Sequence, residues 1–95
     1  MSIEYVRFRV DEKLRSDFIK TIKQACVILE EFGETLEVEF SQSSDDESLF
    51  TWRVVWPSKE VHLEKFRNDR LYHDFHQLVE PYLFLILEMN HYNKI

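Results

Sequence analysis

The sequence predicts an α+β fold in which helices cover one face of a four-stranded antiparallel sheet. Four segments show the alternation or the apolar run that is typical of strands, and one long segment repeats apolar residues every three or four positions. Two shorter helical segments lie between the third and fourth strands. The predicted order is therefore β-α-β-β-α-β, with the second helix broken in two.

The predicted strands are distinguished by their side-chain alternation and by the turns between them. They are residues 3–10, 36–40, 49–56 and 83–89. In the first, Val6, Phe8 and Val10 share one face, which is the pattern of a half-buried strand. The polar run 41–48 predicts a turn between the second and third strands. The fourth, Leu83 to Met89, is almost entirely apolar, which predicts a central strand with both faces covered.

The predicted helices are bounded by capping residues. They are residues 12–32, 58–68 and 69–80. Asp11 can cap the first helix, and Gly33, the only glycine, can adopt the left-handed conformation at its end. Ser58 and Asp69 can cap the two shorter helices, and Pro81 disfavours helix at the residue before it. Right-handed crossovers in this order place strands one and three in the middle of a ferredoxin-like sheet.

Composition limits the classes of protein to which this chain can belong. Its 95 residues, 44% hydrophobic and 15% aromatic, fit one folded domain, residues 1–95. The net charge of −6 argues against a nucleic-acid partner. No apolar run reaches the roughly 20 residues of a membrane span, so no membrane partner is expected. A start without basic and apolar regions, together with the single cysteine Cys26, predicts a cytoplasmic protein without a disulfide.

The second half of the chain carries a spaced aromatic pattern. Its residues are Leu49-Phe50, Trp56, Leu63, Phe66, Tyr72, Phe75 and Glu80-Pro81. This pattern resembles the C-terminal half of the antibiotic-biosynthesis monooxygenase family, the small dimeric α+β barrel proteins. The resemblance implies a homodimer and a cofactor-independent monooxygenase that acts on a small aromatic or quinol-like compound. In such an enzyme the protein orients the substrate, removes a proton and excludes water while O₂ reacts.

Two positions depart from the family pattern. Many members have an asparagine four residues before the strand-end tryptophan and a histidine nine residues after it, where this chain has Trp52 and Lys65. A haem-degrading branch of the same fold matches at one of its three motif positions, a histidine that His73 or His76 could supply. No cofactor is therefore predicted, and no specific mechanism is carried over from the family.

The predicted ligand site lies between the sheet and the broken helix. The candidate substrate-binding residues are Trp52, Trp56, Phe66 and Tyr72. Flat aromatic walls are typical of pockets for planar ligands. His62 and His76 are the candidate catalytic bases, because histidine titrates near neutral pH. The alternatives are that the aromatic residues are simply core and that His62 is an exposed helix residue.

Charged side chains are predicted on the opposite face of the sheet. They are Arg7, Arg9, Glu37, Glu39 and Arg53. Those on strands one and three would lie beside those on strand two, and such pairs stabilise a sheet by roughly 0.2–1 kcal/mol each. The face is then a solvated ladder of ion pairs, a partly buried homodimer interface or a site for an anionic ligand.

Other functions receive less support. His73 and His76 have a helical spacing that could bind a divalent metal, but a polar helix surface has the same pattern, and no metal site is predicted. RNA binding needs a basic surface and a glycine-containing strand motif that this chain lacks. The main alternative to an enzyme is a non-enzymatic homodimer of the same fold that binds a small ligand or is purely structural.

Overall fold

The sheet has four antiparallel strands in the order β2-β3-β1-β4. The computed structural model describes residues 1–95. The strands are β1 (Ser2–Arg9), β2 (Glu37–Gln42), β3 (Leu49–Trp56) and β4 (Ile86–Tyr92). The first and third strands are therefore central, as predicted, and β1 is paired with β3 on one side and with β4 on the other.

Four helical segments cover one face of this sheet. They are α1 (Glu12–Phe32), a π-helix (Val61–Phe66), α2 (Tyr72–Val79) and a 3₁₀ helix (Glu80–Leu85). The Asp11 carboxylate accepts a hydrogen bond from the Lys13 N–H at 3.0 Å at the start of α1, and Gly33 ends it with a φ of 76°. None of the helices is both long and apolar enough to cross a membrane. The β-α-β-β-α-β order with a broken second helix is confirmed, so the chain has a ferredoxin-like α+β fold.

The core lies between α1 and the inner face of the sheet. Phe18 of α1 is fully buried and contacts the rings of Phe8 and Phe50 edge to face, at centroid distances of 4.9 and 5.1 Å. Such pairs contribute about 0.5–1.5 kcal/mol each beyond the burial of area. Trp52 and Trp56 lie on the same inner face of β3 and are 5% and 1% exposed. These contacts hold α1 across both central strands.

The fourth strand differs from the prediction in its limits and in its place. Residues 83–85 belong to the 3₁₀ helix, and β4 extends to Tyr92 rather than ending at Met89. Pro81 does not end the helical path, because the first turn of a new helix needs no N–H donor there. The strand is an edge strand and not a central one, and Leu87 is 53% exposed. The apolar run therefore predicted a degree of burial that contacts within the chain do not provide.

The predicted charged face is the outer face of the sheet. Arg53 pairs with Glu37 of the neighbouring strand β2 at 3.1 Å, as expected. Arg7 instead pairs with Glu88 of β4 at 3.8 Å, and Arg9 pairs with the turn before β3, because β1 does not neighbour β2. The ion pairs thus form with whichever element lies beside each arginine.

Candidate functional site

A cavity of about 250 Å³ lies between the inner face of the sheet and the broken helix. Twelve of its sixteen lining residues are hydrophobic, among them Val6 and Trp52 from the sheet and Phe75 and Val79 from α2. Pockets for drug-sized ligands have volumes of roughly 300–1,000 Å³. The cavity therefore suits a small, largely apolar molecule.

Polar groups gather at one end of the cavity, which we call the polar end: Glu4, Trp56, His62 and the adjoining His91. The Trp56 indole N–H donates a hydrogen bond to Glu4 Oε1 at 3.1 Å, and His62 Nε2 lies 3.7 Å from the same oxygen. His62 Nδ1 and His91 Nε2 share a hydrogen bond of 2.7 Å. Glu4 and His62 are 5% and 7% exposed, whereas His91 is partly exposed. The polar end is thus a chain of contacts that runs from a buried carboxyl group towards the surface.

The sheet register and the turn after β3 bring these groups together. Glu4 lies opposite His91 of β4, so both side chains point to the inner face of the sheet. Trp56, the last residue of β3, lies on that face as well. The turn at Pro57-Ser58 then leads into the π-helix, which places the His62 ring over Trp56 with centroids 4.5 Å apart and planes 13° from parallel. Short π-helical segments are rare in proteins and often occur at functional sites.

Burial shifts the protonation of the polar end. It raises the pKa of Glu4 from 4.5 to about 7, against the smaller opposing effects of the Trp56 hydrogen bond and the Arg67 charge. Burial, with smaller contributions from His91 and Arg67, lowers the pKa of His62 from 6.5 to about 4. Burial, with nearby positive charges, also lowers the pKa of His91. At neutral pH both imidazoles are therefore neutral, and Glu4 is divided between its acid and its carboxylate, which suits a group that takes up and returns a proton.

The same three titratable residues are the ones that could hold a metal ion. One ligand atom from each of Glu4, His62 and His91 lies within 4.8 Å of the others. In the arrangement observed, however, His62 turns Nε2 towards Glu4 and Nδ1 towards His91. Two nitrogens bound to one tetrahedral zinc ion at about 2.0–2.1 Å would lie roughly 3.4 Å apart, whereas 2.7 Å is a hydrogen-bond distance. The geometry is that of a shared proton rather than of a metal centre.

Solved structures with the same architecture identify the fold. An antibiotic biosynthesis monooxygenase matches with a TM-score of 0.80 and 10% identity, over 100% of this chain and 99% of the other. The chain has the fold of the antibiotic biosynthesis monooxygenases. A proposed antibiotic biosynthesis monooxygenase from Bordetella bronchiseptica matches with a TM-score of 0.77 and 20% identity, over 99% and 96% of the two chains. SnoaB, a cofactor-independent oxygenase from Streptomyces nogalater, matches with a TM-score of 0.74 and 14% identity, over 98% and 92%.

The family resemblance seen in the sequence is thereby confirmed at the level of the fold. No protein-family model and no curated protein matches the sequence.

This monooxygenase fold brings five of the six predicted site residues to the cavity. They are Trp52, Trp56, His62, Tyr72 and His76. Phe66 does not line the cavity: it is 1% exposed and packs between Trp56 and Tyr72, at centroid distances of 5.6 and 5.5 Å. Phe66 is therefore a core residue that supports the cavity wall, which is the alternative that the sequence left open.

The two predicted bases have different surroundings. The alternative of an exposed His62 is wrong, because its side chain, on the inner side of the π-helix, is only 9% exposed. The His76 side chain is 43% exposed, and its Nδ1 lies 3.4 Å from the Glu80 carboxylate. Lys65, one of the two departures from the family pattern noted in the sequence, is 61% exposed and pairs with Glu34 at 2.8 Å. It does not line the cavity.

Three residues of the site were missed by the sequence-based reasoning: Glu4, Arg67 and His91. Glu4 did give a signal, because it falls in phase with Val6 and Phe8 and so belongs to the inward face of the first strand. His91 lies beyond the predicted end of the fourth strand. Arg67 follows the π-helix, and nothing in the sequence pattern distinguishes it from the exposed cations around it.

Proposed function

We propose that the cavity is the substrate site of a monooxygenase that oxidises a small phenolic or quinol-like aromatic compound with O₂ and without a cofactor. The observation that carries the proposal is the polar end, where a buried carboxyl group and an imidazole meet an otherwise apolar cavity. The likeness in fold to the cofactor-independent oxygenase SnoaB supports it.

The proposed reaction needs no external reductant. A phenol loses its hydroxyl proton, and the phenolate adds O₂ at the ring carbon opposite the hydroxyl, which carries a hydrogen. The peroxide anion then takes up a proton and loses water to leave a quinone. One phenol and one O₂ thus give one quinone and one water, and all four electrons come from the substrate.

The cavity offers a group for each requirement of this chemistry. Glu4 accepts the hydroxyl proton, and the hydrogen bond from Trp56 fixes the position of its carboxylate. His62 lies beside the same carboxylate and shares the proton. Arg67 lines the cavity and its positive charge stabilises the phenolate. The apolar walls around Trp52 orient the ring and keep water away.

Oxygen uptake tests this proposal. The EDTA-treated protein is supplied with a panel of phenols, hydroquinones and hydroxynaphthalenes, and the products are identified by mass spectrometry. We expect one O₂ consumed per substrate, with a product that gains one oxygen and loses two hydrogens. Glu4→Gln should lower kcat by about 100-fold or more, the usual contribution of a general base. His73→Ala is the matched control, because His73 is exposed and does not line the cavity.

The same panel separates an enzyme from a binding protein. Haem and flavin are added to it, and binding is followed by quenching of tryptophan fluorescence, since Trp52 and Trp56 both line the cavity. Saturable binding without oxygen uptake would support the alternative, a non-enzymatic ligand-binding dimer. Oxygen uptake that survives Glu4→Gln and His62→Ala unchanged would contradict the roles given to the polar end.

We also propose that two copies of the chain pack through the outer faces of their sheets. Tyr5 and Tyr92 form an edge-to-face pair there, with centroids 5.3 Å apart. The outer-face arginines on the two central strands are already paired within the chain, so a second copy would cover few uncompensated charges. Helices on one side only leave this face for a partner to cover.

Light scattering tests the dimer. We expect twice the chain mass of 11.6 kDa at micromolar concentration, and Tyr5→Glu should return the single-chain mass while retaining the fold. Lys23→Ala, on the exposed side of α1, is the control. A single-chain mass for the parent protein at every accessible concentration would contradict the proposal.

A further inference from the structure

The polar end of the cavity adjoins a second concavity on the surface. This concavity has a volume of about 370 Å³, and only one of its eight lining residues is hydrophobic. His91 lines it together with Lys59 and Glu60, whereas Glu4 and His62 line the substrate cavity. The hydrogen bond between His62 and His91 therefore joins a residue of the apolar cavity to a residue of the polar one.

We propose that Glu4, His62 and His91 form a proton relay between the substrate cavity and the surface, with His91 as its outlet. The proposal rests on the oxygenase function proposed above, since it states where the substrate proton goes after Glu4 accepts it.

The orientation of the His62 ring is suited to this relay. Stacking on Trp56 holds the His62 ring nearly parallel to the indole, which fixes the plane in which its two nitrogens lie. Nδ1 shares a hydrogen bond of 2.7 Å with His91 Nε2, whereas Nε2 lies 3.7 Å from the Glu4 carboxyl, a gap that a small movement of either side chain closes to hydrogen-bond distance. Trp56 also donates to Glu4 Oε1, which fixes the carboxyl beside the imidazole. An imidazole with a partner at each nitrogen can accept a proton on one side as it donates one on the other.

The proton count closes over the reaction cycle. When the substrate hydroxyl protonates Glu4, the acid passes a proton to His62 Nε2, and His62 passes its Nδ1 proton to His91 Nε2. His91 then releases its own Nδ1 proton to water in the outer concavity. The peroxide anion formed later needs one proton, which returns along the same path in the opposite direction. Glu4 receives this proton from His62 Nε2 and gives it to the peroxide, which leaves Glu4 as the carboxylate and both rings in their original tautomers.

The charges around the relay favour a neutral outlet. The charged or titratable groups around it are Glu4 from β1, His62 from the π-helix, and Lys59, Glu60 and Arg67 from the segments flanking that helix. Met1, the amino-terminal residue, also lines the outer concavity. Burial lowers the pKa of His91, and Lys59 and Arg67 lower it further. His91 is therefore neutral near pH 7 and holds the lone pair that a relay outlet needs.

His91→Ala with imidazole rescue tests the relay. We expect kcat to fall by about 10-fold or more, less than the roughly 100- to 10,000-fold that a direct general base contributes. The KM should stay unchanged, because His91 does not line the substrate cavity. Added imidazole should restore kcat by occupying the space of the missing ring. Asn93→Ala, in the same outer concavity, is the control and should behave like the parent.

Two outcomes would overturn the relay. One is an unchanged kcat in His91→Ala, and the other is a loss of kcat that imidazole does not restore while circular dichroism shows an intact fold.

A measurement without turnover separates failure of the relay from failure of the oxygenase. Nitrogen-15 NMR of the histidine rings should show His62 Nδ1 in a hydrogen bond that His91→Ala removes. If that signal is present but no substrate consumes oxygen, the oxygenase proposal fails, whereas the hydrogen-bonded path from His62 to the surface stands. If the signal is absent in the parent, the relay fails whatever the enzyme does.

Discussion

His62 and His76 occupy similar places in the sequence, one on each half of the broken helix, but the fold gives them different surroundings. Both line the cavity. The His62 side chain is 9% exposed and contacts Glu4, Trp56 and His91. The His76 side chain is 43% exposed and pairs with Glu80, four residues later on the same helical path.

The difference arises from what lies beneath each half of the broken helix. The π-helix covers the ends of three strands. Trp56 and His91 lie near the ends of β3 and β4, and Glu4 lies near the start of β1. His76 lies on α2, at the edge of the cavity and next to solvent. A histidine therefore acquires the partners of a proton-transfer group only where the helix above it closes over polar residues of the sheet.

The largest expected effect of a substitution on stability is at Trp56, the residue on which His62 stacks. Trp56→Ala should lower the free energy of unfolding by about 3–5 kcal/mol, the usual range for truncating a buried tryptophan. Trp56 is 1% exposed, stacks under His62 and donates to Glu4. Urea unfolding measures the loss. Tyr72→Ala, which removes a half-buried ring beside His76, should cost less, and an equal cost would remove the contrast between the two regions.

A nearly equal effect is expected at Glu4, and it depends on pH. Because the pKa of Glu4 is raised from 4.5 to about 7, the folded protein binds an extra proton between these values. The contribution of Glu4 to stability is therefore full below pH 4.5 and is lost as the pH rises to 7. The shift corresponds to about 3 kcal/mol. Glu4→Gln, which keeps the neutral shape, should match the parent near pH 4 and exceed its stability by about that amount above pH 7.

His62 acts in the opposite direction over nearly the same interval. Its pKa is lowered to about 4, so the unfolded chain binds more protons between pH 4 and 6.5, and its contribution to stability rises with pH. In the parent the two contributions offset each other between about pH 4.5 and 6.5. In Glu4→Gln the rise should become visible in denaturant titrations at a series of pH values. A variant whose stability runs parallel to the parent's would show that Glu4 is not buried as an acid.

The elements that could be predicted from sequence are those with a strong local pattern. The alternation around Val6 and the caps at Asp11 and Gly33 depend on neighbouring residues, and the predicted strand and the predicted helix ends are confirmed there. The fourth strand was misplaced because an apolar run next to Pro81 fits a helix turn and a strand equally well. The polar end depends on register between distant strands, which pairs Glu4 with His91 across more than 80 positions. No local pattern predicts that pairing, although Glu4 shares a strand face with Val6, which points into the core.

A smaller effect is expected from His62 itself. The sequence left open an exposed position for His62, at which substitution would be tolerated, but the ring is buried. His62→Ala removes the ring from Trp56 and leaves His91 without its hydrogen-bond partner, at a cost of about 1–3 kcal/mol. The midpoint of urea unfolding at pH 7 measures it, with His73→Ala as the exposed control. A loss no larger than that of the control would mean that the contacts of the polar end contribute nothing to stability.

The smallest effect is expected at His76, and it completes the contrast between the two histidines. His76→Ala removes an exposed ring that lies 3.4 Å from the Glu80 carboxylate, and such surface substitutions usually change stability by no more than about 0.5 kcal/mol. The contact with Glu80 is open to water, and exposed contacts of this kind contribute little to stability. Because His76 has no contact with Glu4, His76→Ala should also leave the pH dependence assigned to Glu4 in place, as parallel stability curves for variant and parent would show. His76→Ala could instead lower the free energy of unfolding as much as His62→Ala does, or flatten that pH dependence. The proton-transfer group would then extend across the cavity to α2, and burial of the ring between the π-helix and the sheet would not be what distinguishes the two histidines.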